Sequence, residues 1–487
     1  MNSRIDGCSV SEMPVNIRKG EQIMFEKPIK VGMVSLGCPK NQVDAEMMLH
    51  KLKEAGFQLE TEPGLADVVI INTCGFIQSA KEEAIENIDE FLTLKEEGRI
   101  KKVVITGCLA ERYADEIAEN MPQADVIAGI GCDGDIVSMV QRALDGEVLR
   151  LKAPKEDLPL EGGRELYSLP FYAYLKIAEG CDNCCSYCAI PSIRGRFRSR
   201  PMENIVKEAE ELAKQGVTEL VVVAQDTTRY GRDLYGEYKL AELLRQLCKI
   251  DDIRWIRTLY AYPERITDEL IDVIASEEKL VKYLDIPMQH CDPDILRAMN
   301  RPGSGKEYKA LIRKLRERIP GIVLRTSLIA GFPGESRDQF KKLAQFVKDL
   351  RLDHVGCFAY SEEEGTRAAE MEHQVDPDER VRRAEIVTEE QDNINMMKNE
   401  KRLGQTVTVV TEGWDKYAEC YFGRSEYEAP EIDGKIFFTS RRRPYLGEYL
   451  QVRLDDMMDI DMLGTNVEDL EDAPSDERND AGNESAE

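Results

Sequence analysis

A regular alternation of short β-branched strands with amphipathic helical stretches constrains the fold of this chain most. The alternation covers residues 29–149 and returns between Tyr172 and Phe358. This pattern is typical of parallel α/β sheets, in which a helix connects each strand to the next. We therefore predict a multidomain α/β protein, with a parallel α/β amino-terminal domain followed by a full or partial (β/α) barrel.

A cysteine comes just after each of three predicted strands in the first region. The pairs are Val31–Leu36 with Cys38, Val68–Asn72 with Cys74, and Val103–Thr106 with Cys108. Ligands of open α/β folds bind outside the carboxyl ends of the strands, so the three cysteines are expected in one crevice. Each lies among small or turn-forming neighbours, where the backbone can approach a cluster closely. The pattern predicts a site with three thiolates.

A second group of cysteines follows the first strand of the barrel pattern, where barrel active sites form. Cys181, Cys185 and Cys188 have the spacing C-x3-C-x2-C. Three thiolates leave one iron of a cubane cluster free, which suits an iron that must bind a reactant. Cys184 raises the alternative of half a zinc site, but a zinc knuckle lacks a fourth ligand nearby. We expect Cys184 to be a bystander.

Changes in composition divide the chain into segments. Pro154, Pro159 and Gly162-Gly163 mark a linker, and short alternating strands after Arg402 predict a small antiparallel β-barrel. From residue 455 to the end, thirteen Asp or Glu residues face one Arg, which favours disorder in the tail. The predicted segments are a disordered extension at 1–28, the first α/β domain at 29–149, a linker at 150–168, the barrel at 169–400, the β-barrel at 401–467 and a disordered acidic tail at 468–487.

Composition also limits the location and partners of the protein. The chain has 487 residues, thirteen cysteines and a formal net charge of −27. Cysteines in a reducing compartment bind metals or catalyse more often than they form disulfides. No apolar run is long enough for a membrane span, so we expect a cytoplasmic protein without membrane contact. The acidic charge disfavours broad nucleic-acid binding and favours a basic partner.

Several segments resemble one enzyme family. C-x3-C-x2-C with Tyr187 before the last cysteine resembles the radical S-adenosylmethionine (SAM) superfamily. Residues 35–41, 71–77 and 106–110 look like the three cysteine segments of its methylthiotransferase family. Residues 224–231, 259–263 and 423–434 narrow the resemblance to the branch that modifies an aspartate of protein twelve of the small ribosomal subunit. The similarity covers roughly residues 29–467.

The resemblance implies a fold, cofactors and a reaction. The three domains would be a methylthiotransferase amino-terminal domain, a radical SAM core and a TRAM domain. Cys38, Cys74 and Cys108 match the ligands of an auxiliary 4Fe-4S cluster, and Cys181, Cys185 and Cys188 match those of the radical 4Fe-4S cluster. The enzyme would use SAM, a reductant and a sulfur donor to insert a methylthio group at the β-carbon of the aspartate.

The resemblance and the expected barrel mouth also suggest residues that contact the cofactor. These candidates are Tyr187, Gln225, Asp285, Gln289, Ser327, Gly331 and Glu335. Four arginines after the cysteine motif, Arg194, Arg196, Arg198 and Arg200, either steady carboxylates of cofactor or substrate or form a solvated basic face.

Two other functions compete with this one. The nearer is the branch of the family that modifies an adenosine of transfer RNA, which shares both clusters and the domain order. A TRAM domain that binds RNA should be basic, yet only Arg441–Arg443 forms a compact positive run in the last module. The second is a non-catalytic iron–sulfur electron carrier, which explains the six cysteines but neither the open iron positions nor the barrel.

Overall fold

The computed structural model describes residues 28–167 and 169–471 of the chain. The predicted disordered extension and most of the predicted acidic tail lie outside these residues. No helix in the two described ranges is long and apolar enough to cross a membrane.

The first region is a parallel sheet with helices on both faces. Strands β1–β6 are Lys30–Ser35, Gln58–Glu60, Val68–Thr73, Lys102–Gly107, Val126–Ala128 and Leu149–Leu151, in the spatial order β2-β1-β3-β4-β5-β6. Helices α1–α4 are Pro39–Glu54, Gln78–Glu96, Cys108–Asn120 and Ile136–Leu144. Helices α1 and α4 pack on one face, and α2 and α3 pack on the other. The central strand β3 is therefore buried along its whole length, which its apolar run Val68–Ile71 allows.

The second region is an open six-stranded parallel sheet, the partial form of the predicted barrel. Its strands are β7 (Tyr172–Lys176), β10 (Glu219–Val223), β11 (Trp255–Thr258), β12 (Leu280–Asp285), β13 (Val323–Ala330) and β14 (His354–Ala359), in the order β14-β13-β12-β11-β10-β7. A two-stranded ribbon, β8 (Ala178–Glu179) with β9 (Arg198–Ser199), follows β7. Helices α5–α12 are Ile190–Arg194, Met202–Lys214, Leu240–Leu247, Asp268–Ser276, Pro293–Ala298, Gly305–Arg318, Arg337–Leu350 and Pro377–Glu400.

The third region is a closed five-stranded barrel. Strands β15–β19 are Thr406–Asp415, Cys420–Arg424, Ile436–Thr439, Tyr449–Met458 and Asp461–Asn466, in the order β15-β16-β17-β19-β18. A closed barrel is confirmed, but one strand pair differs from the predicted antiparallel arrangement. Strand β19 returns antiparallel to β18 and inserts beside β17, so it runs parallel to β17 and closes the barrel.

Two predicted boundaries differ from the elements in the structure. Strand β6 pairs with β5, so the first sheet extends to Leu151, inside the predicted linker. The predicted disordered tail starts at residue 468, but Val467–Glu471 forms helix α13. This prediction was wrong for these first residues because the backbone N–H of Arg441 and the side chain of Arg442 bind Asp469 and Glu468.

Side chains of all three regions fill the inner face of the open sheet. Val43 and Met47 come from α1, Tyr174 comes from β7, and Val410 and Ala429 come from the third region. These residues form one apolar cluster, so the three regions pack on a common core. The carboxyl ends of β1, β3 and β4 therefore lie against the start of the open sheet.

Two candidate cysteine sites at the strand ends

The first candidate site is assembled from three separate loops. Cys38 precedes α1, Cys74 follows β3 and Cys108 begins α3 directly after β4. Gly37 has φ of +93°, and a Cβ there would lie 2.5 Å from the Cβ and 2.7 Å from the Sγ of Cys74. A Cβ on Gly75 would lie 3.0 Å from the carbonyl carbon of Cys108. Only glycine permits these approaches, so the loops meet as the sequence predicts.

Cations lie beside this first triad, which we define as Cys38, Cys74 and Cys108. Burial raises the pKa of the Cys38 thiol, but the charges of Lys40 and Arg194 outweigh it and hold that pKa below its usual value. Burial raises the pKa of Cys74 to about 11 and that of Cys108 to about 12. The first triad thus combines one acidic thiol with two that need a further positive charge to ionise.

The second triad, Cys181, Cys185 and Cys188, lies in one loop after β8. The loop folds on itself through the N–H of Cys181, which donates to the Gly195 carbonyl, and the N–H of Cys188, which donates to the Cys185 carbonyl, both at 3.1 Å. Gly180 has φ of +74°, and a Cβ there would lie 2.2 Å from the carbonyl oxygen of Arg196. The loop geometry therefore depends on that glycine.

Aromatic and cationic groups surround the second triad. The Tyr262 hydroxyl lies 3.6 Å and Nη1 of Arg301 lies 4.0 Å from Sγ of Cys185. The Arg301 guanidinium also stacks 4.1 Å from the centre of the Tyr262 ring. Burial raises the pKa of Cys181 to about 12 and raises that of Cys188 further above its usual value. Sequence reasoning missed Arg301, because no spacing connects Asn300-Arg301 with the cysteines.

Cys184 differs from the other cysteines of its loop in exposure and backbone conformation. It is exposed and takes a left-handed backbone conformation with φ of 52°, and its carbonyl accepts a hydrogen bond from Asn300 at 2.8 Å. In the described part of the chain, no group of three or more His, Cys, Asp or Glu side chains is arranged to bind a single metal ion. The zinc alternative therefore has no ligand set there. Thiolates of a cluster bind different irons and lie further apart than ligands of one ion.

The four arginines after the motif have different environments. The side chains of Arg194 and Arg200 are buried and bind protein carboxylates, whereas that of Arg196 is 85% exposed and binds Asp182. Arg198 donates to the carbonyl of Glu156. A solvated basic face is therefore wrong for Arg194 and Arg200, because buried carboxylates pair with both.

Of four predicted cofactor contacts, Gln225, Asp285 and Gln289 lie at or just after the carboxyl ends of β10 and β12, whereas Ser327 lies within β13. Gln225 donates to Glu179 at 2.7 Å, while its buried Oε1 has no hydrogen-bond partner in the described structure. Asp285 is buried and accepts the N–H of Tyr260 at 3.1 Å. Gln289, with φ of 71°, donates its N–H to the carbonyl of Ser327 at 2.8 Å. These residues share one mouth with the second triad, and the unpartnered oxygen suits a ligand with hydrogen-bond donors.

The other three predicted contacts differ from one another. Glu335 is buried and accepts the N–H groups of Gly331 at 2.6 Å and Phe332 at 3.2 Å. It therefore shapes the turn at Gly331, which has φ of +75°. Tyr187 is half-buried and packs against the apolar cluster that contains Phe332. A cofactor-contacting role stays a prediction for all seven residues.

Three family profiles match consecutive parts of the chain. They are the uncharacterized protein family UPF0004 over residues 30–129, the radical SAM superfamily over 175–347 and the TRAM domain over 403–467. Each profile falls within one of the three regions described above.

Relatives match about nine tenths of the chain. One named ribosomal protein uS12 methylthiotransferase RimO, from Desulforamulus reducens, is 48% identical over 439 residues, which are 89% of this chain and 98% of the relative. A relative of the same name from Pelotomaculum thermopropionicum is 48% identical and covers 90% of this chain and 99% of its own length. The solved radical SAM methyltransferase TsrM from Kitasatospora setae, at 15% identity, covers 68% of this chain and 74% of its own with a TM-score of 0.51, which shows a shared fold alone.

Proposed function

The chain belongs to the RimO family of ribosomal protein uS12 methylthiotransferases, and we propose that it replaces a hydrogen on an aspartate β-carbon of uS12 with a methylthio group. A 4Fe-4S cluster and SAM come with membership of the radical SAM superfamily. The observation that carries the proposal is the presence of two three-cysteine sites at strand ends of adjacent, tightly packed regions. The reaction also needs a reductant and a sulfur donor.

We assign one cluster to each triad. Cys181, Cys185 and Cys188 would hold the cluster whose open iron binds SAM, which supplies radical chemistry when bound. Cys38, Cys74 and Cys108 would hold a second cluster with an open iron for exogenous sulfur. The glycines that let the loops approach and the cations beside Cys38 support this second assignment.

Ion pairs hold the two regions that carry the triads together. The buried Glu363, which follows β14, binds Lys81 of α2 at 3.1 Å and Arg112 of α3 at 3.0 Å. Arg112 also donates to the carbonyl of Gly75, next to Cys74, at 2.7 Å. These contacts fix the loop of the first triad against the radical core, as a reaction that uses both sites requires.

Charge favours a basic protein substrate over transfer RNA. In the third region, Arg442 binds Glu448 and Glu468, each at 2.7 Å. The one compact positive run of that region is thus partly neutralised by its own neighbours, whereas RNA binding needs uncompensated cations. A net charge of −27 attracts a basic partner instead.

Mass spectrometry tests the substrate. Cells with the gene disrupted should contain uS12 that lacks the methylthio group and transfer RNA of unchanged mass. An unchanged uS12 mass with a lighter transfer RNA would establish the competing branch. The electron-carrier alternative predicts no SAM cleavage by the purified protein after anaerobic reduction of its clusters, so measured cleavage excludes it.

A further inference from the structure

Arg194 lies between the two triads and is 1% exposed. It ends the short helix α5, which follows the second triad in the chain. One guanidinium nitrogen, Nη1, donates to Asp44 at 3.0 Å and to Glu179 at 2.9 Å. The other, Nη2, donates to Oδ1 of Asn41 at 3.0 Å. These contacts join segments next to both triads, and the guanidinium also interacts directly with Cys108 of the first triad.

These partners belong to both cysteine sites. Asn41 and Asp44 are on α1, the helix that Cys38 precedes. Glu179 ends β8, two residues before Cys181. The planar guanidinium of an arginine donates in several fixed directions. When it binds groups of both cysteine sites, it fixes their separation and orientation more strictly than a lysine ammonium would. Arg194 thereby connects the helix of the first triad to the loop of the second.

The two terminal nitrogens of the Arg194 guanidinium face groups of different charge. Nη1 faces Asp44 and Glu179, and Lys176 binds both carboxylates, so these four side chains together carry no net charge. Removal of the Arg194 charge would leave one unbalanced buried negative charge beside the first triad. Nη2 faces the neutral Asn41 amide, whose Oδ1 lies 3.9 Å from Sγ of Cys108. No carboxylate therefore binds Nη2, the guanidinium nitrogen nearer the first triad. A buried positive charge acts strongly over such distances.

We propose that Arg194 is a positioning residue that sets the register between the two triads and stabilises negative charge at the first one. The inference rests on the proposed function, because it assumes a cluster on Cys38, Cys74 and Cys108. A cluster gains negative charge when it is reduced, and net charge and hydrogen bonds around a cluster set its potential. The guanidinium therefore raises the reduction potential of the first cluster.

Two substitutions separate charge from geometry. R194M removes both, whereas R194K keeps the charge and loses the fork. R200K is the matched control, since Arg200 is as buried as Arg194 but binds Glu161, Glu208 and the carbonyl of Lys176 rather than a residue of the first triad's helix or a cysteine. Each holoprotein is titrated with reductant under electron paramagnetic resonance, and SAM cleavage and methylthio transfer are counted in the same reaction.

The reduction potential and the ratio of methylthio transfer to SAM cleavage should respond differently to the two substitutions. R194M should lower the potential of the first cluster by the equivalent of about tenfold in its reduction equilibrium, or about 59 mV for one electron, with the second cluster unchanged. R194K should keep that potential but lower the ratio of transfer to SAM cleavage by about tenfold, the effect of one lost charged hydrogen bond. R200K should change neither.

The outcomes distinguish the inference from the proposed function. Equal potentials in wild type, R194K and R194M, or an equal transfer ratio in R194K and R200K, would overturn the role of Arg194. If R194M does not retain iron, the role of Arg194 is tested by comparing the ratio of methylthio transfer to SAM cleavage in R194K with that in R200K. A wild-type protein without the spectrum of a second cluster would instead refute the proposed function.

Discussion

Each triad brings three cysteine side chains together, and the two do so by opposite means. The first collects Cys38, Cys74 and Cys108 from loops that are adjacent only because β1, β3 and β4 are neighbours in a parallel sheet. The second takes all three thiolates from one loop, which internal hydrogen bonds and Gly180 shape locally. A site built from distant segments depends on the whole domain, whereas a local site depends on its loop.

The charges around the two triads differ as well. Lys40 and Arg194 lower the pKa of Cys38. At the second triad Arg301 is stacked on Tyr262, and burial leaves the pKa values of Cys181 and Cys188 high. Burial also raises the pKa values of Cys74 and Cys108, so the lowered pKa of Cys38 is what distinguishes the first triad. The following experiments challenge this division, from the largest expected effect to the smallest.

Loss of a single thiolate should separate the roles of the triads completely. C185A should abolish SAM cleavage, because it removes a ligand of the radical cluster. C74A should retain cleavage and lose methylthio transfer, because it damages only the other site. Product chromatography for cleaved SAM and mass spectrometry of uS12 measure both. Equal cleavage in C185A and wild type would contradict the assignment.

Loss of the ion pair between the regions should affect the first triad more than the second. E363Q leaves Lys81 and Arg112 without their buried partner, and breaking such a pair costs about 3 kcal/mol or more. We expect a lower melting temperature and a larger fall in transfer than in SAM cleavage.

E362Q is the matched control for that change. Its carboxylate is 50% exposed and lies 3.5 Å from Arg380, so its loss should have little effect on stability. Similar melting temperatures and activities in the two variants would show that the regions do not depend on Glu363.

Two buried groups, one in each region, should contribute to the pH dependence of stability in opposite directions. Burial raises the pKa of Asp133, beside Thr106 of β4, from 3.8 to about 7. Between these values the folded state binds more protons than the unfolded state, so the first region loses stability as pH rises from 4 to 7. Burial lowers the pKa of His290, near the open-sheet mouth, from 6.5 to about 4, so the contribution of this histidine to stability is lost as pH falls over this range.

Hydrogen exchange at several pH values measures each region separately. Each effect amounts to a few kcal/mol at most. D133N should flatten the pH dependence of the first region and leave that of the open sheet unchanged. The same pH profile of the first region in D133N and wild type would contradict this assignment.

Removal of the fourth cysteine of the motif should have the smallest effect. C184A should retain all iron and full SAM cleavage, since Cys184 is exposed and outside the triad. C184G should also be tolerated, because glycine adopts the left-handed conformation of this position readily. Loss of iron from C184A would show that Cys184 is a ligand.

The contrast between local and distant contacts also explains which parts of the structure could be predicted from the sequence. The strands before Cys38, Cys74 and Cys108 have clear β-branched runs, so their loops were placed at one edge correctly. Strands β2, β5 and β6 have three residues each and carry no such pattern. The partners of Arg194 could not be predicted, because Asp44 lies 150 positions away and pairs with it only through packing of two regions.

The iron content of triad-deleted proteins tests the central claim most directly, that one chain carries two independent three-thiolate cluster sites. One variant replaces Cys38, Cys74 and Cys108 with alanine, and the other replaces Cys181, Cys185 and Cys188. After anaerobic reconstitution, each should contain about half the iron and sulfide of the wild type, with one cluster spectrum remaining in each. Full iron in either variant, or none in the protein that retains Cys181, Cys185 and Cys188, would contradict the account.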